Sequence, residues 1–294
     1  MLKIKGIYKS YGNFEVLKNC NLEVNESSIF GLVGIKGAGK STLLRAIAGI
    51  YDVDAGQILF NDYDVSRDEK IRKDILLIAD ENEFDKNATI ESLKLFFKNF
   101  YDFDEVAYEK YLKMFGLDTK KPIISFSKGM QRQAMLLFAL AIRPKLLLLD
   151  EAFDGLDPLV RLNFKKALAE LIEDNEITVI ISSHNLKELE DICDSFGILE
   201  NGFIKTSGDL SASKDLVNKY QIVYEDNKDE TFFKDFDLLY FNKIGRVITA
   251  VIRGDKSEVY QKLEATKPMM IDVLAVNFEE LFIYEVESRG TLDE

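Results

Sequence analysis

Two patterns of apolar residues divide this chain. In the first, apolar and polar positions take turns: Leu2, Ile4 and Ile7, then Phe14, Val16 and Leu17 beyond the turn residues Tyr11-Gly12-Asn13, then Leu22 and Val24. That alternation predicts short strands. In the second, apolar residues run almost unbroken through Ile29-Phe30-Gly31-Leu32-Val33, Ile75-Leu76-Leu77-Ile78-Ala79, Leu146-Leu147-Leu148-Leu149 and Ile177-Thr178-Val179-Ile180-Ile181. Runs without a polar face suit buried strands, and the four leucines suit a central parallel strand covered on both sides. A further strand is expected within residues 54–62. Helical spacing takes over at Leu43 to Ala48, closed by Gly49, and at Ala134 to Ala141, stopped before Pro144. From Thr89 to about Gly116 the pattern is again helical and carries Phe96, Phe97, Phe100, Tyr101, Phe103, Tyr108, Tyr111 and Phe115. Such a stripe is either a core face or a groove for a partner helix. Leu186 to Cys193 reads as a helix, and Phe196 to Ile204 as a hairpin turning at Asn201-Gly202.

Strands alternating with helices place residues 1–210 in the α/β class, with a helical part at about 85–145. Past residue 215, Tyr220 to Tyr224, Leu238 to Phe241 and Val247 to Ile252 predict strands, and Ser257 to Ala265 and Phe278 to Val286 predict helices. Residues 215–294 therefore read as a small α+β accessory domain that braces or pairs the larger one, or regulates it.

The junctions between elements carry the chemistry. Gly34-Ile35-Lys36-Gly37-Ala38-Gly39-Lys40-Ser41-Thr42 sits between an apolar strand and a helix. Glycines there let backbone N–H groups close around an anion, Lys40 adds a point charge and Ser41 a hydroxyl for Mg²⁺. This predicts a nucleoside triphosphate site. Asp150 and Glu151 end the leucine strand, where open α/β sheets bind ligands. Asp150 suits the Mg²⁺ shell, and Glu151 is placed to polarise a water for attack on the γ-phosphate. The only histidine, His184, ends the strand of Ser182 and Ser183 and is a candidate γ-phosphate contact or water organiser. Ser127 is a natural N-cap, followed by Lys128 and Gly129, and that helix start suits a second phosphate contact. Tyr11 offers a ring to a nucleotide base.

Composition narrows the partners. A net charge of −13 argues against a nucleic-acid surface, and no apolar run reaches the ~20 residues a membrane helix needs. One histidine and two distant cysteines, Cys20 and Cys193, make no zinc spacing. Asn242-Lys243-Ile244-Gly245 lacks the aspartate of a guanine-reading motif, which discards a GTPase. A reduced, cytosolic, Mg²⁺-dependent protein is expected.

In this order the motifs of residues 1 to about 210 resemble the nucleotide-binding subunit of an ATP-binding cassette (ABC) transporter. Gly34 to Thr42 resembles the Walker A motif, and Leu146 to Glu151 Walker B with its catalytic glutamate. Phe126-Ser127-Lys128-Gly129-Met130-Gln131 resembles the signature motif, Gly155-Leu156-Asp157 the D-loop, and His184 the switch histidine. Tyr11 falls at the family's base-stacking aromatic, and Asp80 at its Q-loop glutamine, with Glu81 there if the register slips by one. The resemblance implies a P-loop NTPase cassette: a mixed sheet core, an antiparallel β subdomain and an α-helical subdomain. It implies ATP and Mg²⁺ as ligands, with Asp80 reaching the ion or the attacking water. It also implies a second nucleotide-binding subunit, a homodimer or close paralogue, whose signature motif caps the ATP held by Walker A. A separate integral membrane permease is implied as well, holding the chain at the cytoplasmic face of the membrane. Lys128 and Met130 match the exporter branch for drugs, lantibiotics and antimicrobial peptides. A non-transport ATPase acting on ribosomes or DNA is the alternative.

Overall fold

A computed structural model describes residues 1–175 and 177–290, in two compact units, Met1–Ser207 and Gly208–Glu294. In the first unit, strands β1 (Leu2–Tyr11), β2 (Phe14–Val24), β4 (Ala55–Phe60) and β5 (Tyr63–Asp64) form an antiparallel sheet of order β2-β1-β4-β5. Strand β3 (Ile29–Val33) instead joins a six-stranded sheet with β6 (Ile75–Ile78), β7 (Leu146–Asp150), β8 (Thr178–Ser183), β9 (Ser195–Glu200) and β10 (Phe203–Asp209). Its order is β10-β9-β3-β8-β7-β6, with β6, β7, β8, β3 and β9 parallel. Every residue of β3, β7 and β8 is buried, as continuous apolar runs require. At the β9–β10 hairpin, Asn201 and Gly202 both take positive φ, 49° and 86°, the turn that matches strand twist.

The two sheets share one core, in which Leu2, Ile4, Ile58 and Phe60 of the antiparallel sheet meet Leu146, Leu148 and Ile180 of the parallel one. Between them lie Leu43, Leu44 and Ile47 of helix α1 (Lys40–Ile47). This helix therefore hangs from a rigid strand end, and the loop before it inherits that position. A short helix α2 (Glu69–Arg72) precedes β6.

The aromatic stretch forms two helices, α3 (Ile90–Phe97) and α4 (Glu105–Phe115), rather than one. Thr89 and Ser92 form a reciprocal capping box on α3, and the Asp104 carboxylate accepts from Ala107 N to restart the chain as α4. The core reading of the rings holds for some of them and not for others. Phe97 and Tyr108 pack on Phe138 of α5 (Lys128–Ile142), with ring centroids 4.9 and 6.3 Å apart, while Phe96 and Phe100 stay exposed. Helices α6 (Pro158–Asn175) and α7 (Leu186–Glu190) follow β7 and β8.

In the second unit, β11 (Val217–Val223), β12 (Asp237–Ile244), β13 (Val247–Arg253) and β14 (Met270–Leu274) form an antiparallel sheet of order β12-β13-β11-β14. Helices α8 (Leu210–Leu216), α9 (Lys256–Ala265) and α10 (Phe278–Gly290) accompany it. Tyr220, Ile222, Phe233, Ile248, Ile252 and Leu263 form its own core. The sequence reading lacked α8 and β14.

Candidate functional site

The loop of residues 34–39 lies at the carboxyl end of β3, between its parallel neighbours β8 and β9. A side chain at Gly34 would put its Cβ 2.4 Å from the Leu199 carbonyl oxygen, so only glycine lets the loop leave the sheet there. Gly39 has φ 106°, a left-handed conformation that L side chains resist, and it sets the start of α1. Lys40 is first in α1 and 5% exposed. Its ammonium donates to the Gly34 carbonyl at 2.7 Å and the Ile35 carbonyl at 3.4 Å. The Ile35 side chain is exposed.

The third partner of Lys40 is Glu151, whose Oε1 is 3.2 Å from Nζ. Glu151 Oε2 lies 2.9 Å from His184 Nδ1 and also accepts from the His184 backbone N–H at 3.3 Å. Burial works to raise the Glu151 carboxyl, but the His184 hydrogen bond and the Lys40 charge outweigh it and hold the group below the usual carboxylate range. Glu151 itself takes φ 48°, a costly backbone for a non-glycine residue. Contacts on all sides hold it there: its N–H donates to the Ser182 carbonyl and hydroxyl, both at 3.1 Å, and its own carbonyl accepts from Arg132. The adjacent Asp150 is 2% exposed and accepts from the Ser182 hydroxyl at 2.6 Å.

A cleft of about 440 Å³ opens over these groups, lined by Phe14, Val16, Lys36, Gly37, Gly39, Lys40, Ser41, Thr42, Asp80, Glu151, Asp154 and His184. The fold thus gathers residues of the loop 34–42, Glu151 and His184 with Asp80, the position that the family resemblance had singled out. Ala38 is buried behind it. Tyr11 is not among the lining residues; it packs edge-on against Tyr51 at 6.1 Å, and its register partner Phe14 stands at the cleft instead. Of the residues assigned to Mg²⁺, Ser41 and Asp80 line this cleft and Asp150 is buried next to Glu151. Among the described residues, the acidic and histidine groups that do converge are Glu151, Asp154 and His184, with ligand atoms within 4.8 Å of one another.

Ser127 to Gln131 lie elsewhere. Ser127 caps α5, its hydroxyl accepting from Met130 N at 3.2 Å, while Gln131 donates to the Phe126 carbonyl at 3.3 Å. Lys128 and Gln131 line a second cleft, of about 690 Å³, with Asp80, Glu81, Arg132, Asp154 and Gly155. Asp157 lines neither cleft, and its carboxylate accepts from Leu159 N and Val160 N at the start of α6.

Sequence reasoning missed Arg132, which is 7% exposed. Its Nη1 donates to the carbonyls of Glu151 at 2.6 Å and Asp154 at 2.5 Å. Its Nη2 donates to the carbonyl of Asp80 at 2.7 Å and to the Asp80 carboxylate at 2.5 Å. Asp80, expected to reach Mg²⁺ or water, is thus held in an ion pair. The only local signal was an arginine just before the apolar run of residues 134–142 in α5.

Residues 17–154 match the family described as ABC transporter. The chain is 31% identical to the lantibiotic transport ATP-binding protein SrtF of Streptococcus pyogenes, over 76% of this chain and 99% of the relative. It is 28% identical to the ABC transporter ATP-binding protein YtrB of Bacillus subtilis (96% and 97% covered). It is also 28% identical to the methionine import ATP-binding protein MetN of Clostridium tetani (95% and 94%). A solved structure of the ATP-binding subunit of an ABC transporter superposes with a TM-score of 0.67 at 29% identity, covering 73% of this chain and 92% of that one. A phosphate loop facing a buried lysine, a carboxylate and a histidine, on a cassette fold shared with these proteins, identifies the chain as a member of the ABC transporter family: an ATP-binding, ATP-hydrolysing transporter subunit.

Proposed function

We propose that this subunit powers an exporter of drugs or amphipathic or antimicrobial peptides, working as one of two cassettes bound to a separate membrane permease. Cassettes of this family dimerise and work with permeases. Among the described residues no helix is long and apolar enough to cross a membrane, which suits peripheral attachment at the cytoplasmic face. The likeness to SrtF and the signature residues Lys128 and Met130 favour export; the likeness to MetN is the competing direction.

The observation that carries the ATPase mechanism is Glu151, ionised and held between Lys40 and His184 at the floor of the cleft. The triphosphate of ATP lies along residues 34–42 and accepts their N–H groups. Its charge draws Lys40 away from Glu151, since one ammonium cannot serve both anions fully. Glu151 then takes the proton of a water aimed at the γ-phosphate, with His184 keeping its carboxylate oriented. The hydroxyl of Ser41 and the carboxylate of Asp150 are hard oxygen donors that fit Mg²⁺, which when bound neutralises charge on the β- and γ-phosphates. Asp80 faces the same cleft. Ser127 to Gln131 and Asp157 lie outside it, which suits contact with the ATP of a second cassette. Phe14 and Tyr11, at the β1–β2 turn, are the rings nearest in sequence for the base.

The test is Glu151→Gln in the full-length chain with its permease. Retained ATP binding, a trapped dimer and lost turnover are expected; steady-state hydrolysis at the wild-type rate would remove Glu151 as the base. Purification from native membranes separates the partner readings. A permease in the eluate supports transport, and ribosomes without one overturn it. With that complex in inside-out vesicles, ATP-driven uptake of a cationic peptide supports export and ATP-driven loss refutes it.

A further inference from the structure

We propose that Arg132 is a positioning residue of the hydrolytic reaction, and that it also neutralises Asp80 so that this aspartate can stand beside a triphosphate. The inference rests on the reading of Glu151 as the base and adds a residue and a division of labour to it. Arg132 is nearly buried, and a buried guanidinium needs its donors satisfied. It spends them on four acceptors from two segments: the carbonyls of Glu151 and Asp154 after β7, and the carbonyl and carboxylate of Asp80 after β6. A planar fork fixes these acceptors relative to one another in a way a single ammonium cannot.

Two consequences follow from the geometry. Glu151 holds an unfavourable φ of 48°, and its carbonyl accepts from Arg132 at 2.6 Å and from Asp154 N at 3.1 Å, so Arg132 supplies the one side-chain grip of this pair on the direction in which the Glu151 carboxylate points. Arg132 also belongs to the same helix as Ser127 and Gly129, so any movement of α5 is passed to Glu151 through this fork. Meanwhile Asp80 lines the cleft with its side chain half exposed, where an unpaired carboxylate would repel phosphate. Pairing with Arg132 removes that charge. Position acts on kcat; charge acts on KM for ATP.

Substitutions that keep one property and lose the other test this in the full-length chain, by steady-state hydrolysis of Mg-ATP. Arg132→Lys keeps the charge and loses the fork, so kcat falls, toward roughly 100-fold for an ångström of displacement, while KM stays at the wild-type value. Arg132→Gln loses both, so kcat falls and KM rises several-fold. Adding Asp80→Asn to Arg132→Gln removes the stranded carboxylate, so KM returns and kcat does not. A wild-type kcat in Arg132→Lys, or a KM in Arg132→Gln that Asp80→Asn fails to restore, overturns the proposal. Thermal unfolding monitors folding, and a structural role alone moves the melting temperature without splitting kcat from KM. Glu151→Gln in the same assay separates the two readings: if it hydrolyses normally, the base assignment has failed, and if it is dead while Arg132→Lys is normal, only the role of Arg132 has failed.

Discussion

Replacing Gly129 by alanine tests whether the start of α5 is seated as closely as the structure shows. A Cβ at residue 129 would stand 2.6 Å from the Gly155 carbonyl oxygen. Carbon–oxygen contacts rarely close below about 3.3 Å, so the deficit is about 0.7 Å. The oxygen belongs to backbone and the Cβ is fixed in direction by it, so neither can rotate away. The neighbouring carbonyl of Asp154 is gripped by Arg132, one turn farther along the same helix, so the push on Gly155 runs against a fixed point. Overpacking of this kind costs about 1 to 3 kcal/mol, while alanine returns up to about 1 kcal/mol of helix propensity. Net destabilisation is then at most about 3 kcal/mol, a shift of several degrees in melting temperature. Rate is the more sensitive readout, because displacement approaching an ångström near Glu151 is expected to lower kcat by ~10-fold or more. The assay is steady-state hydrolysis beside scanning calorimetry. Gly116→Ala is the control: its φ is 64° and nothing lies near the added Cβ, so it should lose about 1 kcal/mol or more of stability and keep its rate. A Gly129→Ala chain with wild-type kcat would refute the close seating.

Three further outcomes are expected. Phe138→Ala removes a fully buried ring that packs on Phe97 and Tyr108, and should cost about 3 to 5 kcal/mol in urea unfolding; a loss under about 1 kcal/mol would contradict the packing. Because the Glu151 carboxyl lies below its ordinary value in the folded chain, its contribution is present above the unfolded carboxyl pKa and is lost as pH falls through the lower folded one. His184→Ala removes a partner and raises the folded value, so in denaturation series at acid pH this loss should shrink and be complete at a higher pH; superimposable curves would exclude the pairing. Burial, reinforced by nearby carboxylates, pushes the phenols of Tyr108 and Tyr220 up to about 12. Their contribution is whole below the ordinary phenol value of about 10 and falls away as pH rises toward 12, so phenolate absorbance should show at least two late-titrating tyrosines in the native chain and none in urea.

The parts legible in the sequence are those where local chemistry decides the structure. Four consecutive leucines can only be a strand covered on both faces, and a glycine loop before Lys40 can only close around something small and anionic. Where stability comes from a partner distant in the chain, local reading fails. Strand β14 is five residues long, follows Pro268 and contains Asp272, so Ile271 and Val273 alone make too short a signal; pairing with β11 makes it a strand. Helix α8, Leu-Ser-Ala-Ser-Lys-Asp-Leu, has too few apolar positions to show a period. The single aromatic stretch became two helices because Asp104 offers a cap that the run of rings conceals.

Asp80 shows the same limit within the site. As a letter it is a short, charged stand-in for a glutamine, and its chemistry read alone points to a metal or a water. The fold supplies a guanidinium from 52 residues farther along, and the carboxylate becomes half of an ion pair whose other half also holds the base. A charged pair here is coherent only if both members are present. Asp80 without Arg132 would face phosphate with like charge, and Arg132 without Asp80 would be a nearly buried cation with only carbonyl dipoles for company. The departure from the family pattern at one position therefore has its physical reason at another, on the helix that begins with Ser127. Lys40, beside the loop, contacts Glu151, and Glu151 is held by Arg132 of that helix, so on the proposed mechanism a movement of α5 reaches the phosphate loop through these two contacts.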